Sequence, residues 1–147
     1  MKKSDVFSNP KELSVKFIAY VGCMDGRPLL SFLEHVRDTI GHHVWPDTIA
    51  RPGMDKLGSE ASEEQFAELQ EQIEISKTHG SKTIYVAGHA LCAGNPDSTE
   101  EEQKEQTRTL ARRMKDKNSN EEVVALWLFP EGDPNKILWT MEVLDVL

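Results

Sequence analysis

The sequence predicts an α/β fold with a mostly parallel central sheet: about four parallel strands plus a C-terminal antiparallel hairpin strand, flanked by helices. Three observations lead there. Short runs rich in β-branched and aromatic residues alternate with longer stretches whose apolar residues recur at helical spacing. Val123 to Phe129 is apolar throughout, as a strand covered on both faces requires. Beyond the turn-forming Pro130-Glu131-Gly132-Asp133-Pro134, the residues Ile137, Trp139, Met141 and Val143 alternate with others, which marks a half-buried strand returning antiparallel.

Each element has a local reason. Residues 1–13 are polar and include a proline, which reads as a short N-terminal arm. Val15 to Val21 is a β-rich run broken by Gly22. Pro28 suits the first turn of a helix that places Leu29, Phe32, Leu33, Val36 and Ile40 on one face and stops at Gly41. His43 to Ala50 holds a short second strand that ends before Arg51-Pro52-Gly53. Ser62-Glu63-Glu64-Gln65 has the capping-box pattern, with Phe66, Leu69 and Ile73 behind it and His79-Gly80 as the helix end. Thr83 to Ala87 is the third strand. Asn95 to Glu102 is turn-like and then acidic, a helix start, with Leu110, Ala111 and Met114 as a thin apolar stripe.

At 147 residues the chain fits one domain, 1–147, with enough length for a core. Hydrophobic residues at 38% and charged residues at 29% belong to the soluble globular class. No apolar run approaches a membrane span, so no membrane partner is expected. The opening Met1-Lys2-Lys3-Ser4-Asp5 has no apolar run behind it, and two cysteines suit a reducing compartment; a cytoplasmic location is expected. The formal net charge of −8 argues against nucleic acid, whose binding begins with phosphate neutralisation. Arg108, Arg112, Arg113, Lys115 and Lys117 read as a solvated helix face near a C-terminus.

The chemistry concentrates in two fragments, Cys23-Met24-Asp25-Gly26-Arg27 and His89-Ala90-Leu91-Cys92. They hold both cysteines of the chain, and each follows a strand-like run. Zn2+ prefers thiolate and imidazole ligands in a tetrahedron, so Cys23, His89 and Cys92 are the candidate metal ligands. Three strong ligands leave a fourth position for chemistry, and a metal there brings the pKa of bound water down to about 7 in favourable sites. If the first and third strands are neighbours in a parallel sheet, their carboxyl ends open onto one crevice and the ligands meet.

Asp25 and Arg27 flank the first ligand. Asp25 could close the site as a fourth ligand, could hydrogen-bond a metal-bound water while held by the Arg27 guanidinium, or could cap the following helix.

The paired motifs resemble the β-class carbonic anhydrases, which carry Cys-x-Asp-Ser-Arg after the first strand and Gly-His-x-x-Cys-Gly after a later one. Here they stand as Cys23-Met24-Asp25-Gly26-Arg27 and Gly88-His89-Ala90-Leu91-Cys92-Ala93-Gly94. Between them Ile49-Ala50-Arg51-Pro52-Gly53 looks like that family's Arg-Asn-Ala-Gly segment with a proline in it. Gly26 stands where the family has serine, and the spacing between motifs is longer.

The resemblance implies zinc on Cys23, His89 and Cys92, with Asp25 and Arg27 as a catalytic dyad gating the fourth position. It also implies reversible hydration of carbon dioxide to bicarbonate, in a homodimer or higher homo-oligomer. His42 and His43 are proton-shuttle candidates, since imidazoles titrate near neutral pH; the alternative is favourable charge at a helix C-terminus. Two rival functions remain open at this stage. One is hydrolysis of carbonyl sulfide or carbon disulfide at the same site, and the other is an inactive zinc-binding interaction protein.

Overall fold

The computed structural model describes residues 16–41 and 43–147; the arm 1–13 and His42 lie outside them. Among the described residues the elements run β1 (Lys16–Gly22), α1 (Gly26–Ile40), β2 (Val44–Ala50), α2 (Met54–Glu60), α3 (Glu63–Thr78), β3 (Thr83–His89), α4 (Glu100–Lys117), β4 (Glu122–Phe129) and β5 (Thr140–Val146). They build a five-stranded sheet in the order β2-β1-β3-β4-β5. The first three pairings are parallel and β4 with β5 is antiparallel, so the expected α/β architecture is present.

Side-chain alternation divides the core in two. Ile18 and Tyr20 of β1 and Leu126 and Leu128 of β4 pack under Phe32 and Val36 of α1. Ala19, Val21, Ile84, Val86, Val123 and Ala125 face the other way, onto Phe66, Leu69 and Ile73 of α3 and Leu110, Ala111 and Met114 of α4. The three middle strands are therefore buried on both faces, which is why they read as near-continuous apolar runs. β2 is an edge strand, and Pro46 is tolerated there because an edge residue can dispense with one ladder donor.

The expected capping box is present: the Gln65 amide N–H donates to Ser62 Oγ at 3.1 Å and the Ser62 N–H donates to Gln65 Oε1 at 3.0 Å. A second box joins Thr99 and Glu102 at the start of α4. The short helix α2 was not expected from sequence. It has no side-chain cap, carries Gly58 in its interior and begins after the left-handed Gly53, so no periodic signal marks it.

Two expectations need correction. β5 begins only at Thr140, leaving Ile137 and Trp139 in the connection before it. A bulge then opposes Val143 and Leu144 to Leu126, which breaks the alternation. Val143 turns to solvent, while Leu144 packs on the α3–α4 side.

Arg113 is not part of a solvated face. Its Nη1 donates to the carbonyls of Gly58, Ser59 and Ala61 at 2.8, 3.3 and 2.8 Å, and its guanidinium lies 4.3 Å over the Phe66 ring. It thus satisfies the open carbonyls at the end of α2, and charge-assisted bonds of this kind are the strong ones. Arg113→Ala is expected to lower stability by about 2 kcal/mol, a fall in Tm of roughly 8 °C by thermal denaturation. An unchanged Tm would show that α2 does not depend on this anchor.

Candidate metal centre

The strand order reverses direction at β1: the chain leaves it for β2 on one side and returns as β3 on the other. Crevices in parallel sheets open at such a point, outside the carboxyl ends of the strands. Cys23 follows β1 directly and His89 closes β3, and the register Val21↔Val86 brings those two ends alongside each other.

Cys92 reaches the same place through a local reversal. The Ala90 N–H donates to the Leu128 carbonyl at 2.9 Å, holding the loop on β4. Leu91 then adopts a left-handed conformation with φ 58°. For a residue with a Cβ that conformation costs roughly 1 kcal/mol, so the segment must be held in place by its surroundings. The Asn95 N–H closes a turn on the Cys92 carbonyl at 3.1 Å.

The ligand atoms of Cys23, His89 and Cys92 all lie within 4.8 Å of one another, and all three residues are buried. The two Sγ atoms are 3.8 Å apart. Two sulfurs about 2.3 Å from a tetrahedral centre would be separated by about 3.8 Å, so the spacing suits a zinc ion.

His89 supplies an independent test of that fit. Its Nδ1 lies 2.7 Å from the Ala90 carbonyl, a partner that requires the N–H there. This leaves the Nε2 lone pair as the free one, and Nε2 is buried with no hydrogen-bond partner among the described residues. A buried nitrogen orphaned beside two sulfurs has the arrangement of a metal ligand oriented through its other ring nitrogen.

The thiols share charge unequally. The Cys92 S–H donates to Cys23, which lowers the pKa of Cys23 and raises that of Cys92. Contact with His89 and backbone N–H groups of Asp25 and Gly53 also favour the Cys23 thiolate. For His89, burial opposes protonation, but the Cys23 contact and the Ala90 carbonyl outweigh it and the net direction is upward. One thiolate is therefore favoured among the three groups, and its charge favours a cation beside it.

Asp25 turns its carboxylate to Arg27. Oδ1 accepts from the Arg27 backbone N–H at 2.9 Å and from Nε at 3.1 Å, while Oδ2 accepts from Nη2 at 2.7 Å. The first of these bonds is also the N-cap of α1, so capping and the Asp25–Arg27 fork coexist. The Arg27 side chain holds the Asp25 carboxyl below its ordinary range. Asp25 is not in the close group formed by the three ligand atoms.

Several residues that sequence reasoning did not place at the site help to build it. The Trp139 ring lies 5.8 Å from the His89 ring, and the Arg27 guanidinium sits 5.1 Å over the indole. Trp139 is fixed by its backbone N–H on Ser31 Oγ at 2.8 Å and its Nε1 on the Pro134 carbonyl at 3.0 Å. Asn135 accepts from Arg27 Nη1 at 3.0 Å. Read as part of an alternating strand, Trp139 carried no signal of this role.

Gly53 and Gly94 pack backbone to backbone. A Cβ on either would come within 2.4 Å of the other's main chain, and Gly53 has a left-handed φ of 58°. This contact ties the segment after β2 to the Cys92 loop. His43 does not reach the centre. It precedes β2 at the amino end of the sheet, about 20 Å from the trio along a seven-residue strand. Its proposed shuttle role fails on distance within one chain, and His42 is outside the described residues.

The sequence model of a family described as "Putative carbonic anhydrase" matches residues 13–138. The chain belongs to that family. The match to this carbonic anhydrase family spans all three candidate ligands together with Asp25 and Arg27, and stops one residue before Trp139. Comparison with curated proteins gave no match, and neither did comparison with solved structures.

Proposed function

We propose that this protein is a β-class-like carbonic anhydrase, a zinc lyase that reversibly hydrates carbon dioxide to bicarbonate. The observation that carries the reading is the convergence of two thiols 3.8 Å apart on a buried, unpartnered imidazole nitrogen, supported by the family match. Cys23, His89 and Cys92 would hold Zn2+, their two thiolates cancelling its charge. When bound, the ion supplies Lewis-acid activation of water near neutral pH.

The chain's own residues do the rest. His89 is kept in one tautomer by the Ala90 carbonyl, so its lone pair stays directed at the site. Asp25, held ionised by the Arg27 fork, presents a carboxylate able to accept a hydrogen bond from a reacting water and so orient it. The Trp139 indole, buried with its ring 5.8 Å from that of His89, adds an apolar neighbour to the imidazole, in keeping with a small, neutral substrate. Cytoplasmic action would keep the thiolates reduced.

A homodimer is the proposed assembly. Met24, Leu91 and Leu138, at 65%, 61% and 56% exposure, follow or precede site residues in sequence and leave apolar surface open there. Light scattering in solution should give twice the chain mass.

Metal analysis of purified protein coupled to stopped-flow carbon dioxide hydration tests the function. One zinc per chain and hydration above the buffer rate are expected. Absence of either, or turnover of carbonyl sulfide or carbon disulfide alone, would overturn the assignment. Asp25→Asn is expected to retain zinc and to lower kcat about 100-fold, because the neutral amide loses both the carboxylate charge and the charge-assisted fork with Arg27 that orients it. Wild-type kcat in that variant would remove Asp25 from the reaction.

A further inference from the structure

We infer that Asn95 is a positioning residue for the metal centre: by anchoring the Cys92–Asn95 turn to α2 and α4, it sets where the Cys92 sulfur stands. The inference rests on reading the trio as a metal site and goes beyond the ligand set itself.

Asn95 is 2% exposed, and each of its polar groups has a partner. Its backbone N–H closes the turn on the Cys92 carbonyl at 3.1 Å. Its side-chain Nδ2 donates to Gln106 Oε1 at 2.8 Å and to Asp55 Oδ1 at 3.3 Å. Oδ1 accepts from Ser98 Oγ at 2.7 Å, and the backbone carbonyl accepts from Gln103 Nε2 at 2.9 Å. These partners come from α2, from the loop before α4 and from α4, so one amide ties the ligand turn to both helices.

The anchor has something to resist. Leu91 holds an unfavourable left-handed conformation between His89 and Cys92, and relaxing it would swing the two ligands apart. The partners also depend on Asn95. Asp55 is buried with Oδ2 unpartnered among the described residues, and without Asn95 its Oδ1 would keep only the Lys56 N–H. Replacing the Asn95 side chain removes hydrogen bonds rather than packed apolar surface, so its loss is expected to fall first on the turn those bonds hold.

The test measures zinc affinity by chelator competition and the thiolate-to-metal charge-transfer band of the cobalt(II)-substituted protein, in full-length wild type and variants. Asn95→Ala should weaken zinc binding about 30-fold and reduce the cobalt band. Ser98→Ala, which removes the hydroxyl that donates to Asn95 Oδ1 and accepts from Gln106 Nε2 at 3.2 Å, should weaken it about threefold. Ser76→Ala deletes the buried Ser76–Ser81 bond of 2.6 Å at the far end of α3, and should cost stability with affinity unchanged.

Zinc affinity and cobalt band within twofold of wild type in Asn95→Ala, or an equal loss in Ser76→Ala, would overturn the inference while leaving the metal site standing. If Asn95→Ala does not fold, unchanged affinity in Ser98→Ala overturns it instead. Wild-type protein that takes up neither metal would sink the metal reading, and this inference with it.

Discussion

Cys92→Ser is expected to abolish stoichiometric zinc and hydration activity together. A serine hydroxyl keeps its proton near neutral pH and is a poor ligand for a borderline-soft ion, so the site would fall to one thiolate and one imidazole. Structural zinc sites bind with free energies of order 10 kcal/mol or more, shared among about four ligands. A quarter share is about 2.5–4 kcal/mol, so losing one anionic ligand should weaken binding by about 100- to 1,000-fold. Metal content by mass spectrometry and stopped-flow hydration read the two losses, and circular dichroism establishes that the fold survives. Replacement of one small buried atom should leave that fold intact, since Cys92 belongs to neither core cluster. A variant that keeps both zinc and activity would remove Cys92 from the ligand set.

Gly94→Ala is expected to damage the site without touching a ligand. The added methyl would sit 2.4 Å from the Gly53 backbone nitrogen and 2.8 Å from the Pro52 carbonyl carbon. Those are main-chain atoms, which cannot swing aside as a flexible side chain would, so the two loops must separate. Overpacking of this kind costs roughly 1–3 kcal/mol. The displacement falls on both thiolates: the Gly53 N–H supports Cys23, and Cys92 lies two residues before Gly94. Zinc affinity should drop by at least about tenfold, with a fall in Tm of several degrees. Wild-type values of both in Gly94→Ala would show that the loops yield freely and that their close approach is incidental.

Much of the fold was legible because its signals are local. Val123 to Phe129 announced a doubly covered strand, and Ser62 with Gln65 announced a helix start, through contacts no more than a few residues long. The short α2 escaped because it lacks such a signal: no cap, little apolar periodicity and a glycine inside. Arg113 escaped for the opposite reason. Its spacing fits an exposed face, and only the arrival of the α2 carbonyls, far away in sequence, makes it an anchor.

The site divides along the same line. Residue chemistry named Cys23, His89 and Cys92, because thiolates and imidazoles after strand ends are recognisable one fragment at a time. The Asp25–Arg27 fork is also local, two residues apart. Trp139, Asn95, Asp55 and the Gly53–Gly94 contact could not be read, because each acquires its role from a neighbour on another element.

By itself, then, the sequence determined which residues can ligate, where most strands and helices lie, and that they alternate in the α/β manner. Tertiary structure alone decided that β1 and β3 are adjacent, that Leu91 turns back through a left-handed conformation, and that Asn95 and Gly94 clamp the Cys92 turn. The physical reason is range: caps and periodicity are fixed by residues a few positions apart, whereas strand order, close backbone approach and the partners of a buried amide exist only once distant segments have packed.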